Sequence, residues 1–382
     1  MSERKKILWL VSWYPNKYDP FDGDFIQRHA RAASLYADIY VLFVKQAEGQ
    51  QEAEEVCSEN EGLTEQIIYL PKGQGLLAKY FNYRRWEAAH KIEIEKFVKR
   101  HPTQLIHVHV PWRVGLIALW ANRKYGIPFM VTEHWGIYNN VVGDNIHTQP
   151  FYFRYLLKRI YERAAVFAPV SSYLAEGVNK TVVEKNYHVI PNTVDTSLFT
   201  FSAEKHSLFT FLHVSNMVPL KNVEGILNAF HLFLSETQAA AQLLLVGSGY
   251  KKYESMAQKS GLLGTSVFFR GEVSYGEVAK EMQRSHVLVV NSNAENSPCV
   301  IGEALCCGLP VIATRVGGIP ELIGMADGIL IQPGRSDLLA TAMTNLYNSW
   351  DKYDRKLISD AAKAKFSFKS VGKILYELYD SN

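Results

Sequence analysis

The sequence predicts an α/β protein made of two doubly wound, Rossmann-like domains. Short apolar runs alternate with helical patterns along the whole chain. Those runs are apolar at consecutive positions, as strands covered by helices on both faces require. Finally, 382 residues are enough for two domains with their own cores, whereas a single sheet would need more than ten strands.

The elements follow in order. The start, MSERKKILWLVSWYP, puts positive charge ahead of apolar residues as a signal peptide does. Its apolar stretch at 7–11 is too short, however, and no small-residue cleavage site follows, so it reads as a buried first strand, 7–13. Further strands are expected at 39–44, 67–70, 105–110, 129–132, 166–170 and 188–190, with helical spacing at 25–36, 76–99, 113–125 and 151–164. Polar residues and turn formers in PNTVDTSLFTFSAEKHS (191–207) then interrupt the alternation. It resumes with strands at 210–214, 243–246, 267–270, 287–291, 311–313 and 329–331, and helices at 223–235, 251–260, 275–284, 298–307 and 336–350. The last segment, 366–379, is helical and aromatic. The expected domains are 1–197, joined by a returning helix at 366–382, and 198–365.

Composition excludes several classes. Apolar residues make up 47% and charged residues 21%, values of a folded globular chain. No apolar run approaches the roughly 18 residues of a spanning helix. The cysteines at 57, 299, 306 and 307 have neither framework nor zinc spacing, and read as reduced thiols in the cytosol. A net charge of +3 does not imply nucleic-acid binding. Residues 1–195 hold 24 of the 41 basic and 21 of the 38 acidic side chains, so the whole excess lies in the first half.

The densest chemistry lies in NSNAENSPCVIGEALCCGLPVIATRVGGIPELI (291–323). Ser297 and Pro298 read as N-cap and first residue of a helix, leaving the N–H groups of Cys299 and Val300 to hold a phosphate. Glu303 sits in an otherwise apolar helix. Either it faces solvent, or it accepts hydrogen bonds from a ligand's paired hydroxyls, as a ribose offers.

Glu295 and Glu303 form an E-x7-E pair, and with the residues that follow they are similar to the signature of retaining GT-B glycosyltransferases of the family 4 type. FLHVSNMVPLKNVEGILNAF (211–230), LLLVGSGY (243–250), VFFRGEVSYGEVAKEM (267–282) and VIPNTVD (189–195) resemble the family's landmarks in order; TEHW (132–135) and PNKYDPFDGDFIQRHARAA (15–33) resemble weaker ones. The likeness is strong over 189–335 and loose over 40–105. It implies two domains facing across a cleft, no metal and no cofactor. The donor would be a UDP-sugar or a GDP-sugar, and the acceptor a saccharide or a lipid-linked sugar. Glu303 would bind the ribose, Glu295 the donor sugar, and Lys221 the diphosphate. Asn216 stands where the family has a second cation; Arg270 and Arg315 are candidates to replace it, and Arg270 could instead touch the base. His134 would contact the transferred sugar.

Other residues have plainer readings as well. Gly23 lies before Asp24, which with Gln27 reads as a capping box; the resemblance places Gly23 in a loop beside the diphosphate and acceptor. His134 alone could be a structural histidine, and His107 and His109 share one strand face and suggest packing. Gly317 and Gly318 read either as a turn before Pro320 or as part of a base pocket. The segments 79–100 and 151–165 interleave basic and aromatic residues, which suits either a solvated face or contact with anionic lipid. Two other functions fit the same residues: a nucleotide-sugar epimerase, and a non-catalytic sugar-nucleotide binding subunit.

Overall fold

A computed structural model describes residues 4–139 and 145–381. The chain forms two compact units, Met1–Pro191 with Phe368–Asn382, and Asn192–Ser367. The division falls six residues before the expected boundary at 197. Residues 192–195 are tied to the second unit: the Val194 N–H donates to the Phe366 carbonyl at 2.8 Å, and the Asn192 amide donates to the Ser297 carbonyl at 2.8 Å.

The first unit holds a seven-stranded sheet of β1 (Lys6–Val11), β2 (Asp38–Ala47), β3 (Glu54–Asn60), β4 (Leu63–Pro71), β5 (Leu105–His109), β6 (Phe129–Thr132) and β7 (Val166–Phe167). Their order is β3-β4-β2-β1-β5-β6-β7. Its helices are α1 (Asp24–Ser34), α2 (Ala78–Arg100), α3 (Val114–Tyr125), α4 (Phe151–Arg163) and α5 (Ser172–Thr181). The central strand shows why the runs are continuous. Leu8 and Leu10 pack with Trp86, Ile94 and Ile117 on one face, and Ile7, Trp9 and Val11 pack with Ile26 and Ala30 on the other. Each such side chain contributes about 1.5–3 kcal/mol on burial, and both faces need helices to collect it.

Three elements depart from expectation. Strand β3, EEVCSEN, is exposed along its length and pairs antiparallel with β4 across a two-residue turn, Glu61-Gly62. It has no apolar pattern, and its glutamates suit an open sheet edge. Residues 188–190 run extended beside β7 without becoming a strand: His188 and Ile190 donate to Phe167 and Pro169, but Pro169 has no N–H with which to return a bond. Helix α5 was hidden by Gly177; the Ser171 hydroxyl caps it at Leu174.

The second unit contains a six-stranded parallel sheet of β8 (Phe209–Val214), β9 (Ala241–Val246), β10 (Val267–Arg270), β11 (Val287–Val290), β12 (Val311–Thr314) and β13 (Gly328–Ile331), in the order β10-β9-β8-β11-β12-β13. It is covered by α6 (Val223–Thr237), α7 (Lys251–Lys259), α8 (Tyr275–Arg284), α9 (Cys299–Cys306), α10 (Ser336–Ser349) and α11 (Arg355–Phe366). The final helix, α12 (Phe368–Asp380), returns to the first unit, where Val371 and Leu375 join the core beside α1 and the Tyr379 hydroxyl bonds His107 at 2.9 Å. Among the described residues, no helix is long and apolar enough to cross a membrane.

Candidate functional site

In the second unit, strand order decides which loops meet. β8 and β11 are parallel neighbours, so the loops leaving their carboxyl ends lie side by side although they are far apart in sequence. Main chain joins them: Asn293 N–H donates to the Leu220 carbonyl at 2.8 Å. This brings the Lys221 ammonium to Glu295 Oε1 at 2.5 Å, and the Ser292 hydroxyl donates to the same oxygen at 2.8 Å. The side chains are 23% and 12% exposed, so the pair is reachable yet poorly screened. Gly317 locks the Glu295 main chain. Its φ is +56°, and a Cβ there would lie 1.6 Å from the Glu295 carbonyl oxygen. The Gly317-Gly318 turn thus leads into Pro320 and also seats Glu295.

Beneath this pair, His213 Nδ1 meets the Val289 carbonyl at 2.9 Å, so it carries the proton; Nε2 then accepts from Ser215, whose oxygen accepts from Met217 N–H. Burial lowers the His213 pKa to about 4, which keeps the ring neutral under the loop that leads to Lys221. Asn216 in that loop is exposed.

Glu303 lies on α9 and is 4% exposed, so the solvent-facing reading fails. Its Oε1 accepts from the Tyr275 hydroxyl at 2.6 Å. The helix start differs by one residue from expectation. Pro298, with φ −68° and ψ 120°, holds the cap position, no side chain caps the helix, and Ser297 lies outside it. Cys299 and Val300 become the first two helical residues, whose N–H groups have no acceptor within the helix. Arg270 does not join the Lys221–Glu295 pair; its guanidinium binds Glu281 of α8, which His206 also contacts. Burial raises the Cys306 thiol pKa to about 12, so that group stays protonated.

In the first unit, Gly23 occupies the cap position of α1 with φ +65°, and a Cβ there would lie 2.6 Å from the Trp13 carbonyl carbon. The capping box does not form. Asp24 is the first helical residue and pairs with Arg28 at 3.1 Å, while the Gln27 amide goes to Glu65 at 2.7 Å. His134 follows β6 and is 9% exposed, with Phe25 at 4.8 Å between ring centroids. Its Nε2 lies 3.2 Å from His109 Nδ1. His107 and His109 are fully buried, and burial holds the pKa values of all three rings well below the ordinary range. His134 is therefore a neutral imidazole. Glu133 fixes its main chain: Oε1 accepts from the His134 and Trp135 N–H groups at 2.9 Å each, and Oε2 from the Tyr138 and Tyr161 hydroxyls at 2.6 and 2.8 Å.

Two family models match. "Glycosyl transferases group 1" covers residues 195–364, and "Glycosyltransferase Family 4" covers 37–198. This chain belongs to the GT-B glycosyltransferases of family 4. It is an enzyme, a hexosyltransferase. The glycosyltransferase is 24% identical to the putative teichuronic acid biosynthesis glycosyltransferase TuaC of Bacillus subtilis, with 98% of each chain covered. Sucrose-phosphate synthase from Thermosynechococcus elongatus shares its fold with a TM-score of 0.77 at 20% identity, 99% of each chain being covered. HepE of Anabaena, in complex with UDP-glucose, gives 0.68 at 17% identity over 99% of this chain and all of that one.

Four partners in this glycosyltransferase escaped the sequence reading: Ser292, Tyr275, His213 and Glu133. Each had a weak local signal. Glu133 directly precedes the strand-end histidine, and Tyr275 follows Ser274, whose capping box with Glu277 opens α8.

Proposed function

We propose that this glycosyltransferase moves a hexosyl group from a nucleoside-diphosphate sugar to an acceptor hydroxyl, with retention at the anomeric carbon, in cell-surface polysaccharide or glycolipid synthesis. UDP-sugars are the favoured donors and GDP-sugars the second class. The Lys221–Glu295 pair carries the reading, because it sets a cation and a carboxylate at adjoining strand-end loops, where α/β sheets take ligands. The relatives support it: TuaC is a putative teichuronic acid biosynthesis enzyme, and HepE was solved with UDP-glucose.

The chemical demand is to stabilise a departing diphosphate while positive charge builds on the sugar ring. Lys221 and the N–H groups of Cys299 and Val300 supply positive charge to the diphosphate. Ser297 and Asn216 lie beside these groups in sequence and would border the donor. Glu295, released from Lys221 when the diphosphate takes the ammonium, holds donor sugar hydroxyls, and Glu303 takes the ribose. In the first unit, neutral His134 can donate to or accept from the sugar without adding charge, and Gly23 lets main chain approach. The bond from the anomeric carbon to the phosphate oxygen breaks, and the acceptor oxygen adds to the same face. The acceptor's proton passes to the departing phosphate, giving a glycoside and a nucleoside diphosphate. The reading requires no metal and no cofactor. It has the enzyme act in the cytoplasm; contact with the inner face of the membrane is a separate expectation, for which vesicle sedimentation is the test.

A donor panel with a saccharide acceptor and with chelator present tests this. Release of free nucleotide together with a retained-configuration glycoside is the expected result. Epimerised donor without acceptor consumption would make the protein an epimerase, and binding without turnover would make it a non-catalytic subunit.

A further inference from the structure

The first unit contains a cavity of about 470 Å³ that no step above uses. Trp13, Trp86 and Trp112 line it, with Lys45, Lys72 and Arg113, and its lining has no carboxylate. It opens at the carboxyl end of β1 and β2, and Trp13 ties it to the Gly23–His134 loops: the Trp13 main chain is what Gly23 packs against, and its ring lies 6.3 Å from both Phe25 and Trp135.

The walls are held in place. Trp86 Nε1 donates to the Val44 carbonyl at 3.2 Å, and Trp112 packs on Phe153 with ring centroids 4.1 Å apart. The loop that presents Trp112 and Arg113 is strained: Val110 has φ +55° and Arg113 φ +69°, conformations costly for side chains of these kinds. The Ser12 hydroxyl lies 2.7 Å from the Val110 carbonyl and 3.0 Å from that of Trp112, pinning the turn. Such strain persists only where surrounding contacts over-determine it, and it clusters at ligand sites.

The charges point to the ligand class. Lys45 is engaged by Asp22 at 2.8 Å. Lys72 meets Glu48 at 2.7 Å, with both side chains about half exposed or more, a pairing worth little in water. Arg113 is exposed at the cavity's edge, and its guanidinium suits two-point binding of a carboxylate or phosphate. Indoles bury the apolar C–H face of a pyranose while cations take an oxyanion carried on or next to the ring. We infer that this cavity is an acceptor subsite for a saccharide bearing a carboxylate or phosphate, an inference that rests on the glycosyltransferase reading above.

Titration calorimetry of the full chain, without donor, tests it with four probes: a neutral hexose oligosaccharide, the same oligosaccharide oxidised at C6 to its uronate, a glycosyl phosphate, and inorganic phosphate. At least one charged saccharide should bind tenfold or more tightly than the neutral one; which of the two does so identifies the source of the anion. The paired substitutions Arg113→Gln and Lys72→Gln should erase that preference and leave neutral binding unchanged. Equal affinity for neutral and charged saccharides overturns the proposal, as does inorganic phosphate binding as tightly as any saccharide, or a preference that survives in the variant. If the double variant unfolds, Lys72→Gln alone, at an exposed side chain, should reduce the preference about threefold, and no reduction counts against the proposal. UDP binding, measured separately, should be the same in variant and parent. Its absence in the parent would overturn the donor reading without touching this result.

Discussion

The two units share one architecture and place different groups after β8 and β11 of the second and along β5 and β6 of the first. The second unit keeps an ion pair there, Lys221 with Glu295, on loops locked by main-chain contacts and Gly317. The first buries neutral rings: His29, His107 and His109 are fully buried, His134 nearly so, and Trp9 stacks on His109 at 4.1 Å. On the proposed reading, the loops after β8 and β11 meet the diphosphate with a cation, while His134 meets the donor sugar as a neutral group that can donate or accept.

The largest expected effect is on acid stability. In the first unit, burial lowers the pKa of His29 and His90 to about 4 and those of His107, His109 and His134 well below the ordinary value. These groups are neutral in both states above the unfolded value of about 6.5. As pH falls below it, only the unfolded chain takes up protons, so stability declines until the folded values are reached. His29 and His90 alone should each cost on the order of 2 kcal/mol by pH 5. Glu133, raised by burial, pulls the other way as a single group. The second unit has two comparable histidines, His213 and His286, both lowered to about 4. Hydrogen exchange resolved by peptide should therefore show the first unit opening before the second as pH falls from 7 to 5. The opposite order would mean that the histidines are not buried neutral.

Next is Lys221→Ala. It removes the cation set against Glu295, and kcat/KM should fall by about 10²–10³; because the 12%-exposed Glu295 then loses its partner, the kinetics are read on a variant shown to be folded by circular dichroism. Steady-state kinetics with a saturating acceptor would show this. A fall below tenfold would mean that another cation carries the diphosphate, and Arg315, exposed after β12, would be the one to test.

Smaller still is Glu303→Ala, which should weaken UDP binding by roughly 1–3 kcal/mol through lost charged hydrogen bonds. Tyr275→Phe provides the control. It removes the hydroxyl that now occupies Glu303 Oε1, and a folded Tyr275→Phe with full donor affinity beside a weakened Glu303→Ala would assign the loss to the ligand. Unchanged affinity in Glu303→Ala would take Glu303 out of the site.

What the chain revealed before folding follows the same division. The motif likeness over 189–335 singles out Lys221, Glu295 and Glu303, and the neighbouring strands β8 and β11 bring the first two together. Arg270 is held by Glu281 of the following helix rather than beside Lys221, and nothing in the spacing says which way a strand-end arginine turns. Ser297 and Asp24 were each placed one position out in a cap, since Pro298 and Gly23 set the chain direction through φ and packing rather than through a side-chain oxygen. Glu133 had only its place beside His134 to mark it, because a fully hydrogen-bonded buried carboxylate looks in sequence like any polar residue in a loop. The tryptophan cavity draws Lys45, Lys72 and Trp86 from the stretch where the motif likeness is loosest, and only folding gathers them with residues 13, 112 and 113.

The smallest expected effect concerns the outer surface of the first unit. Leu76, Leu77, Tyr80 and Phe81 stand exposed at the start of α2, and Phe151, Tyr152 and Tyr155 on α4, with Lys79, Arg84, Arg85, Arg154, Lys158 and Arg159 among them. Aromatic side chains mixed with cations suit the boundary of an anionic bilayer, each cation adding about 1 kcal/mol near the surface at low salt. The protein should sediment with vesicles containing anionic lipid and not with neutral ones. Phe151→Ser with Tyr155→Ser should lower the bound fraction severalfold without moving the melting temperature, since both side chains already face water. Matching exposed aromatic substitutions in the second unit, such as Phe268→Ser, should have no effect. Equal loss from both units would make the attraction nonspecific, and absence of binding at low salt would leave the first unit's basic excess without a lipid partner.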